Sequence, residues 1–367
     1  MRSVDYVATC NAGLEEIASR EVRRLIGSKP KKLHEGAIAF RGKPRDMFLL
    51  NYCSRSLHRI ILCLWKGRFS DLGDIYRKIR KLELSEYIAQ NQSFAVVAER
   101  LGEHDFTSVD LAATVGKAII DSYRASKGVR LKVNLDSPDV CFRCEARENH
   151  FWMGIDTTGE SLHKRWYRKF SGKAPVKSTI AASMIMLSEF RYGETLLDPF
   201  CGVGTIPIEA ALLAQRKAPN QNRSFAFENL EFLDLDYFEA LKQRLRARER
   251  KLKGKIEGID IASDAIEQAR ANARAAGVRI RFRRGDATRI GLSCDRLVSD
   301  LPFGIRTSPH NLRELYAKFF SNLARSEVKR AVLLTTRWKW VFEDWGEVKQ
   351  VYEVDHGGIR AKILVLE

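Results

Sequence analysis

The sequence predicts an α/β protein, with an open, mainly parallel sheet in its C-terminal half behind a smaller α/β assembly in its N-terminal half. Three observations carry this. From residue 178 onward, helices alternate with short apolar strands, the pattern of a parallel sheet. The closing segment "VKQVYEVDHGGIRAKILVLE" reads as two strands joined at Gly357-Gly358, an antiparallel hairpin whose turn residues suit positive φ. The opening 64 residues run strand, helix, strand, helix, strand.

Taken in order, "SVDYVAT" alternates like a strand, and "AGLEEIASREVRRLI" follows as an amphipathic helix closed by Gly27. "GAIAFRG" is a strand, and "PRDMFLLNYCSRSLHRIILCLW" is a helix running into another. A second unit starts at "DIYRKIRKLELSEYI" and continues through the strand "SFAVVAER" and the helix "SVDLAATVGKAIIDSYRAS". "RLKVNL", "DVCFRCEAR" and "HFWMGID" then read as strands. The polar, basic stretch after residue 156 is a linker, since Gly159, Gly172 and Pro175 prevent one continuous helix. Beyond it the helix "STIAASMIMLSEFRY" leads to the strands "TLLD", "IEGID", "IRFRRGD", "RLVSD" and "AVLLTT". The expected boundaries are 1–64, 65–156, a linker at 157–177, and 178–367.

The chain has 367 residues and a net charge of +17, with a predicted pI near 9.6. The surplus of positive charge is nine in residues 1–170 and eight in the rest, so it belongs to the whole body. A polyanionic partner is the natural inference. Apolar runs such as "IILCLW" are too short to span a bilayer, and "MRSVDYVATC" has no export-signal pattern. A cytoplasmic monomer with reduced thiols is expected. Cys141 and Cys144 form a CxxC, but strand alternation points them to opposite faces, so no metal is assigned.

The chemistry concentrates in four motifs. "LLDPFCGVGTIPIEAALLA" joins a strand to a helix through Gly202 and Gly204, which let the backbone lie flat against a ligand. It lacks both the third glycine of a dinucleotide site and the Lys-Ser/Thr pair of a phosphate loop. Asp198 and the open amides suit a ligand carrying an ammonium and a carboxylate. The next strand ends at Asp260, placed to accept both hydroxyls of a ribose. The following one leads to Asp286, placed to take an exocyclic amine of adenine, and the last ends at Asp300 in "DLPFG". Four acids at one sheet edge mark a ligand crevice, because open α/β sheets bind at that edge.

These motifs, "DPFCGVGT", "GIDI", "GDAT" and "DLPFG", resemble those of class I S-adenosylmethionine-dependent methyltransferases acting on exocyclic amines. The resemblance implies a Rossmann-like methyltransferase sheet over 178–367, with S-adenosyl-L-methionine as methyl donor. It assigns the cofactor to Asp198, Phe200, Cys201, Gly202, Val203, Gly204, Thr205, Asp260, Ile261, Asp286, Ala287 and Asp300. It assigns catalysis to Asp300, Leu301, Pro302 and Phe303: a carboxylate and a carbonyl to orient the amine, a rigid corner, and a stacking ring. Cys201 faces the cofactor or the core, not a base, so it is not read as a nucleophile. Leu301 stands where adenine-specific enzymes often carry a first proline, and "DLPFG" is more like RNA guanine-N2 methyltransferases.

"RLGEHDFTSVDLAATVGKAIIDSY" with "VNLDSPDVCFRCEA" resembles a THUMP domain, and the unit before it a ferredoxin-like domain of RNA-modifying enzymes. Together these imply a tRNA guanine-N2 methyltransferase acting at acceptor-stem position 6. Ribosomal RNA or tRNA position-10 guanine-N2 methylation, DNA adenine-N6 methylation and non-catalytic RNA binding are the alternatives. In the linker motif "SLHKRWYRK", Lys164, Arg165 and Arg168 lie beside Trp166 and Tyr167, and either contact RNA or pack the linker between domains. Within 215–255, Phe238, Leu241, Leu245 and Leu252 form a narrow apolar stripe amid Arg and Lys. It suits either a solvated helix or a phosphate contact.

Overall fold

The computed structural model describes residues 3–172, 175–304 and 312–367. Its N-terminal half contains β1 (Val4–Cys10), α1 (Glu15–Ile26), β2 (Lys31–His34), β3 (Ala37–Gly42), α2 (Asp46–Cys53) and β4 (Leu57–Arg68). There follow α3 (Leu72–Arg80), β5 (Ser93–Leu101), α4 (Ser108–Lys127), β6 (Lys132–Val133), β7 (Val140–Arg147) and β8 (His150–Asp156). Local signals explain the helix limits. Gly27 and Gly128 end α1 and α4 in the left-handed conformation at φ 74° and 76°, and Thr107 with Asp110 forms a capping box that starts α4.

The two N-terminal units share one sheet, ordered β2-β3-β1-β4-β8-β7-β5-β6. The joint is the 12-residue β4, long enough to pair β1 on one side and β8 on the other. Gly154 makes that joint possible, because a Cβ there would stand 2.3 Å from the Leu62 carbonyl oxygen. Helices α1 to α4 bury one sheet face around Phe48, Ile75, Phe94, Leu111, Phe142 and Phe151.

The C-terminal half contains α5 (Ser178–Leu187), β9 (Leu196–Asp198), α6 (Thr205–Ala214), α7 (Leu235–Arg246), β10 (Ile256–Asp260), α8 (Ser263–Ala275) and β11 (Arg281–Arg284). It ends with β12 (Cys294–Asp300), α9 (Leu312–Ala324), β13 (Val328–Thr335), α10 (Trp338–Trp345), β14 (Gln350–Asp355) and β15 (Arg360–Leu366). The strand order is β11-β10-β9-β12-β13-β15-β14, parallel through β13 and antiparallel in the last two. The chain moves outward from β9 to β10 and β11, then returns to the other side of β9 as β12. That reversal opens a crevice at the strand C-termini between β9 and β12.

The apolar stripe of the 215–255 segment faces the N-terminal half. Phe238 is buried, and it packs with Phe225 and Phe227 against Phe48 and Tyr52 of α2 at ring separations of 4.9 to 6.0 Å. Leu241 and Leu245 join the same core, while Leu252 packs under the C-terminal sheet. The stripe is narrow because it covers one helix of the neighbouring half. The segment fastens the two halves together.

Candidate active site

The four acids lie at the C-terminal ends of four adjacent strands. Asp198, Asp260 and Asp300 terminate β9, β10 and β12, and Asp286 follows β11 by two residues. Their surroundings differ. Asp260 accepts from Gly202 N–H and Ala262 N–H, both at 2.9 Å, so its carboxylate sets the shape of the glycine loop. Asp286 accepts from Thr288 N–H at 2.9 Å and from the Thr288 hydroxyl at 2.7 Å. Desolvation pushes its pKa up, but the Thr288 hydrogen bonds win and hold it below the usual carboxylate value.

Asp198 is buried at the base of the crevice. It accepts from the Ser299 hydroxyl at 2.6 Å and the Phe200 N–H at 3.2 Å. Burial outweighs these bonds and lifts its pKa to about 7. Asp300, across the crevice, has an Oδ1 shut from solvent and without a hydrogen-bond partner. Burial first, and the neighbouring Asp198 second, raise its proton affinity well above the ordinary carboxylate range. A buried acceptor left unpaired costs about 1–3 kcal/mol, and a donor arriving with a ligand would relieve that cost.

The glycine loop runs from β9 into α6. Gly202 and Gly204 hold φ of 49° and 84°. A Cβ on Gly202 would meet nothing within 4 Å, which leaves that side of the loop free for a ligand. At Gly204 a Cβ would lie 2.9 Å from Phe282, so there glycine serves helix packing. Cys201 is buried, its N–H donates to the Ile259 carbonyl at 2.8 Å, and burial drives its thiol pKa far up, which removes any thiolate role. Val203 and Thr205 are buried in the loop's inner wall, and Phe200 packs edge-on to Phe319 at 5.2 Å. Ile261, by contrast, is 65% exposed beside Asp260, an apolar surface ready for a flat ring. Ala287 is buried under the Asp286 turn, its carbonyl held by Asn322 at 2.9 Å.

The "DLPF" corner hangs from β13. Leu301 N–H donates to the Leu334 carbonyl at 2.9 Å. The Tyr316 hydroxyl donates to the Pro302 carbonyl at 3.0 Å and meets the Thr335 hydroxyl at 2.7 Å. Phe303 is half-buried, its ring edge-on to His356 at 5.9 Å. Ser299 and Tyr316 were invisible as site residues in the sequence, since both lie outside the motifs' signature letters.

The linker expectation for RNA contact needs correction at two residues. Arg165 is fully buried. It pairs with Glu209 of α6 at 2.8 Å and donates to Asn220 at 3.0 Å and to the Arg55 carbonyl at 2.9 Å. Glu209 also accepts from the Tyr167 hydroxyl at 2.9 Å and faces Arg55 at 3.6 Å. This charged cluster joins α2's end, the linker and α6 with no solvent-facing cation. Arg168 donates to the Val176 carbonyl at 2.8 Å and to the Thr205 hydroxyl at 2.9 Å, so it braces the glycine loop's helix. Lys164 alone of the three is largely exposed, paired with Glu160 at 2.9 Å. Asn272, also unforeseen, is buried and staples the linker to the loop: it accepts from Phe170 N–H at 3.0 Å and donates to the Val203 carbonyl at 3.1 Å.

S-adenosylmethionine fits these residues. Gly202 offers open backbone, Asp260 and Ile261 offer an acid beside an exposed apolar surface, and Asp198 offers a buried counter-charge for an ammonium.

Comparison with known proteins agrees with this geometry. Residues 165–354 match the RMKL-like methyltransferase domain, 69–156 the THUMP domain and 5–61 the RlmL ferredoxin-like domain. The chain is 36% identical to a tRNA (guanine(6)-N2)-methyltransferase of Methanocaldococcus jannaschii, covering 99% of this chain and 100% of the relative. It is also 36% identical to the protein of the same name from Archaeoglobus fulgidus, over 99% of this chain and 92% of that one. The crystal structure of a possible methylase from Clostridium difficile superposes with a TM-score of 0.90 at 25% identity, covering 99% of this chain and 98% of that one. A ferredoxin-like domain and a THUMP domain thus precede a methyltransferase fold, and the chain belongs to the THUMP-containing methyltransferase family that includes the tRNA (guanine-N2)-methyltransferases.

Proposed function

We propose that this protein methylates the exocyclic N2 amine of a guanosine in tRNA, at position 6 of the acceptor stem. The observation that carries the reading is the solvent-excluded, unpartnered Oδ1 of Asp300 at the crevice. The relatives' specificity points to the guanosine. We further read the domains as 1–64, 65–156 and 178–367 with a linker at 157–177, and the protein as a cytoplasmic monomer.

S-adenosylmethionine, when bound, supplies an activated methyl group. Gly202, Asp260, Ile261 and Asp286 would hold its nucleoside, and Asp198 its ammonium. An aromatic amine is a poor nucleophile because its lone pair is delocalised into the ring. Its two N–H groups donate to Asp300 Oδ1 and to the Leu301 carbonyl, which localises that pair and aims it at the methyl. Transfer leaves the donor as a neutral thioether and the positive charge on the methylated nitrogen, whose extra proton then passes to Asp300 in its ionised form or to water. Phe303 stacks on the base, a contact worth about 1–3 kcal/mol. A paired guanosine must leave the helix to reach this corner.

The experiment is incubation with labelled methyl donor and bulk tRNA, followed by nucleoside mass spectrometry and mapping. N2-methylguanosine at position 6 is expected. Label in N6-methyladenosine, or at guanosine 10, would displace the reading.

A further inference from the structure

The same edge of the C-terminal sheet carries a second constellation, on α10 beside the "DLPF" corner. Four cations sit over two indoles. Arg337 and Arg313 lie 5.4 and 5.8 Å from the Trp340 ring centre, and Lys362 and Lys339 lie 4.0 and 5.7 Å from that of Trp338. Arg313 is neutralised by Asp344 at 2.6 Å, and Lys362 by Glu353 at 3.2 Å. Arg337 and Lys339 are exposed, and among the described residues neither has a carboxylate partner. The distinction matters physically. A carboxylate cancels a cation's charge, whereas an aromatic face orients the cation and leaves its charge whole.

This rim is tied to the catalytic corner by a short hydrogen-bond chain. Arg337 N–H donates to the Thr335 hydroxyl at 2.8 Å, that hydroxyl meets Tyr316 at 2.7 Å, and Tyr316 holds the Pro302 carbonyl at 3.0 Å. A polyanion reaching the corner therefore passes directly beside two uncommitted, pre-oriented cations.

We propose that Arg337 and Lys339, steadied by Trp340 and Trp338, grip phosphates of the RNA strand flanking the target nucleotide. The proposal rests on the tRNA-methylating reading and names the catalytic half's own hold on that substrate. Backbone contacts fix register without reading sequence, and register at this rim decides which nucleotide faces Asp300.

The test measures tRNA affinity of the full chain against salt for wild type and for an Arg337→Ala/Lys339→Ala double variant. Arg337→Gln/Lys339→Gln serves as the second variant should the first fold poorly. Each phosphate contact contributes about 0.9 to the slope of log affinity against log salt. Two contacts therefore predict a slope shallower by about 1.8 and an affinity roughly 60-fold weaker at 0.1 M salt. Affinity for S-adenosylhomocysteine should stay within about twofold. Lys251→Ala/Lys253→Ala removes equal charge from the opposite end of the strands and should leave the slope nearly unchanged. An unaltered slope in the rim variant, or an equal loss in the Lys251/Lys253 control, overturns the rim. Wild-type protein that methylates no tRNA overturns the functional reading instead, so the two failures are separable.

Discussion

Replacing Asp300 separates catalysis from stability. The Ala variant removes an acceptor that polarises the amine and the group that aims it. Charged hydrogen bonds are worth about 1.5–3 kcal/mol, which alone is about 10–150-fold in rate, and lost alignment adds about another hundredfold. Single-turnover methyl transfer by Asp300→Ala should therefore fall by roughly a thousandfold or more. Affinity for S-adenosylhomocysteine, measured by calorimetry, should change by only a few fold, because Asp198, Asp260 and Asp286 are untouched. The isosteric Asp300→Asn variant should be more stable than wild type. Asp300 Oδ1 is shut from solvent without a partner, and the pKa of Asp300 in the fold lies well above the unfolded value. Wild type is therefore fully stable on this account below the unfolded pKa, and loses stability as pH rises toward the folded pKa. The Asn variant escapes that loss, so its advantage, about 1–3 kcal/mol, should grow between pH 5 and 8. At roughly 2–4 °C per kcal/mol, differential scanning resolves it easily. Near-normal turnover in the Ala variant, or an Asn variant that melts lower at every pH, would refute the reasoning.

Three further outcomes are expected. Tyr316→Phe loses the hydrogen bonds to Pro302 and Thr335; it should lower kcat about tenfold while leaving cofactor affinity intact, and reduced cofactor binding would argue against a role confined to the corner. With the Asp198 pKa at about 7, an ammonium-bearing ligand must displace a proton below that pH. Affinity for S-adenosylhomocysteine should therefore rise with pH by up to about tenfold per unit and level off above 7, whereas a flat profile from pH 5.5 to 7 would exclude the ammonium role. Arg165→Ala leaves Glu209 buried beside only Arg55 and Tyr167, and denaturant titration should show a loss of about 3–5 kcal/mol; a change under 1 kcal/mol would mean water repairs the gap.

Much of the site was legible because its signals are local. An acid at the tip of a short apolar strand, followed by a helix, names its sheet edge without reference to any other part of the chain. The hairpin at Gly357-Gly358 was equally local. The sequence left Arg165 and Arg168 open between RNA and interdomain packing, because a basic segment with aromatics has the same composition whether it meets phosphate or a buried glutamate. The docking of the stripe through Phe238 was likewise not legible, since a helix that docks on another domain exposes as many polar positions as a solvated one.

The sequence by itself determined the succession of strands and helices, the four acids at one sheet edge, the glycine loop and the family likeness. All of these are written in periodicity and short motifs. Only the tertiary structure decided that β4 joins two units into one sheet, that Arg165 and Glu209 close the junction between the halves, and that Asp300 keeps a dry, unpaired oxygen opposite Asp198. Burial and partnership depend on which segments distant in the chain come to lie together, and no local pattern of residues specifies that.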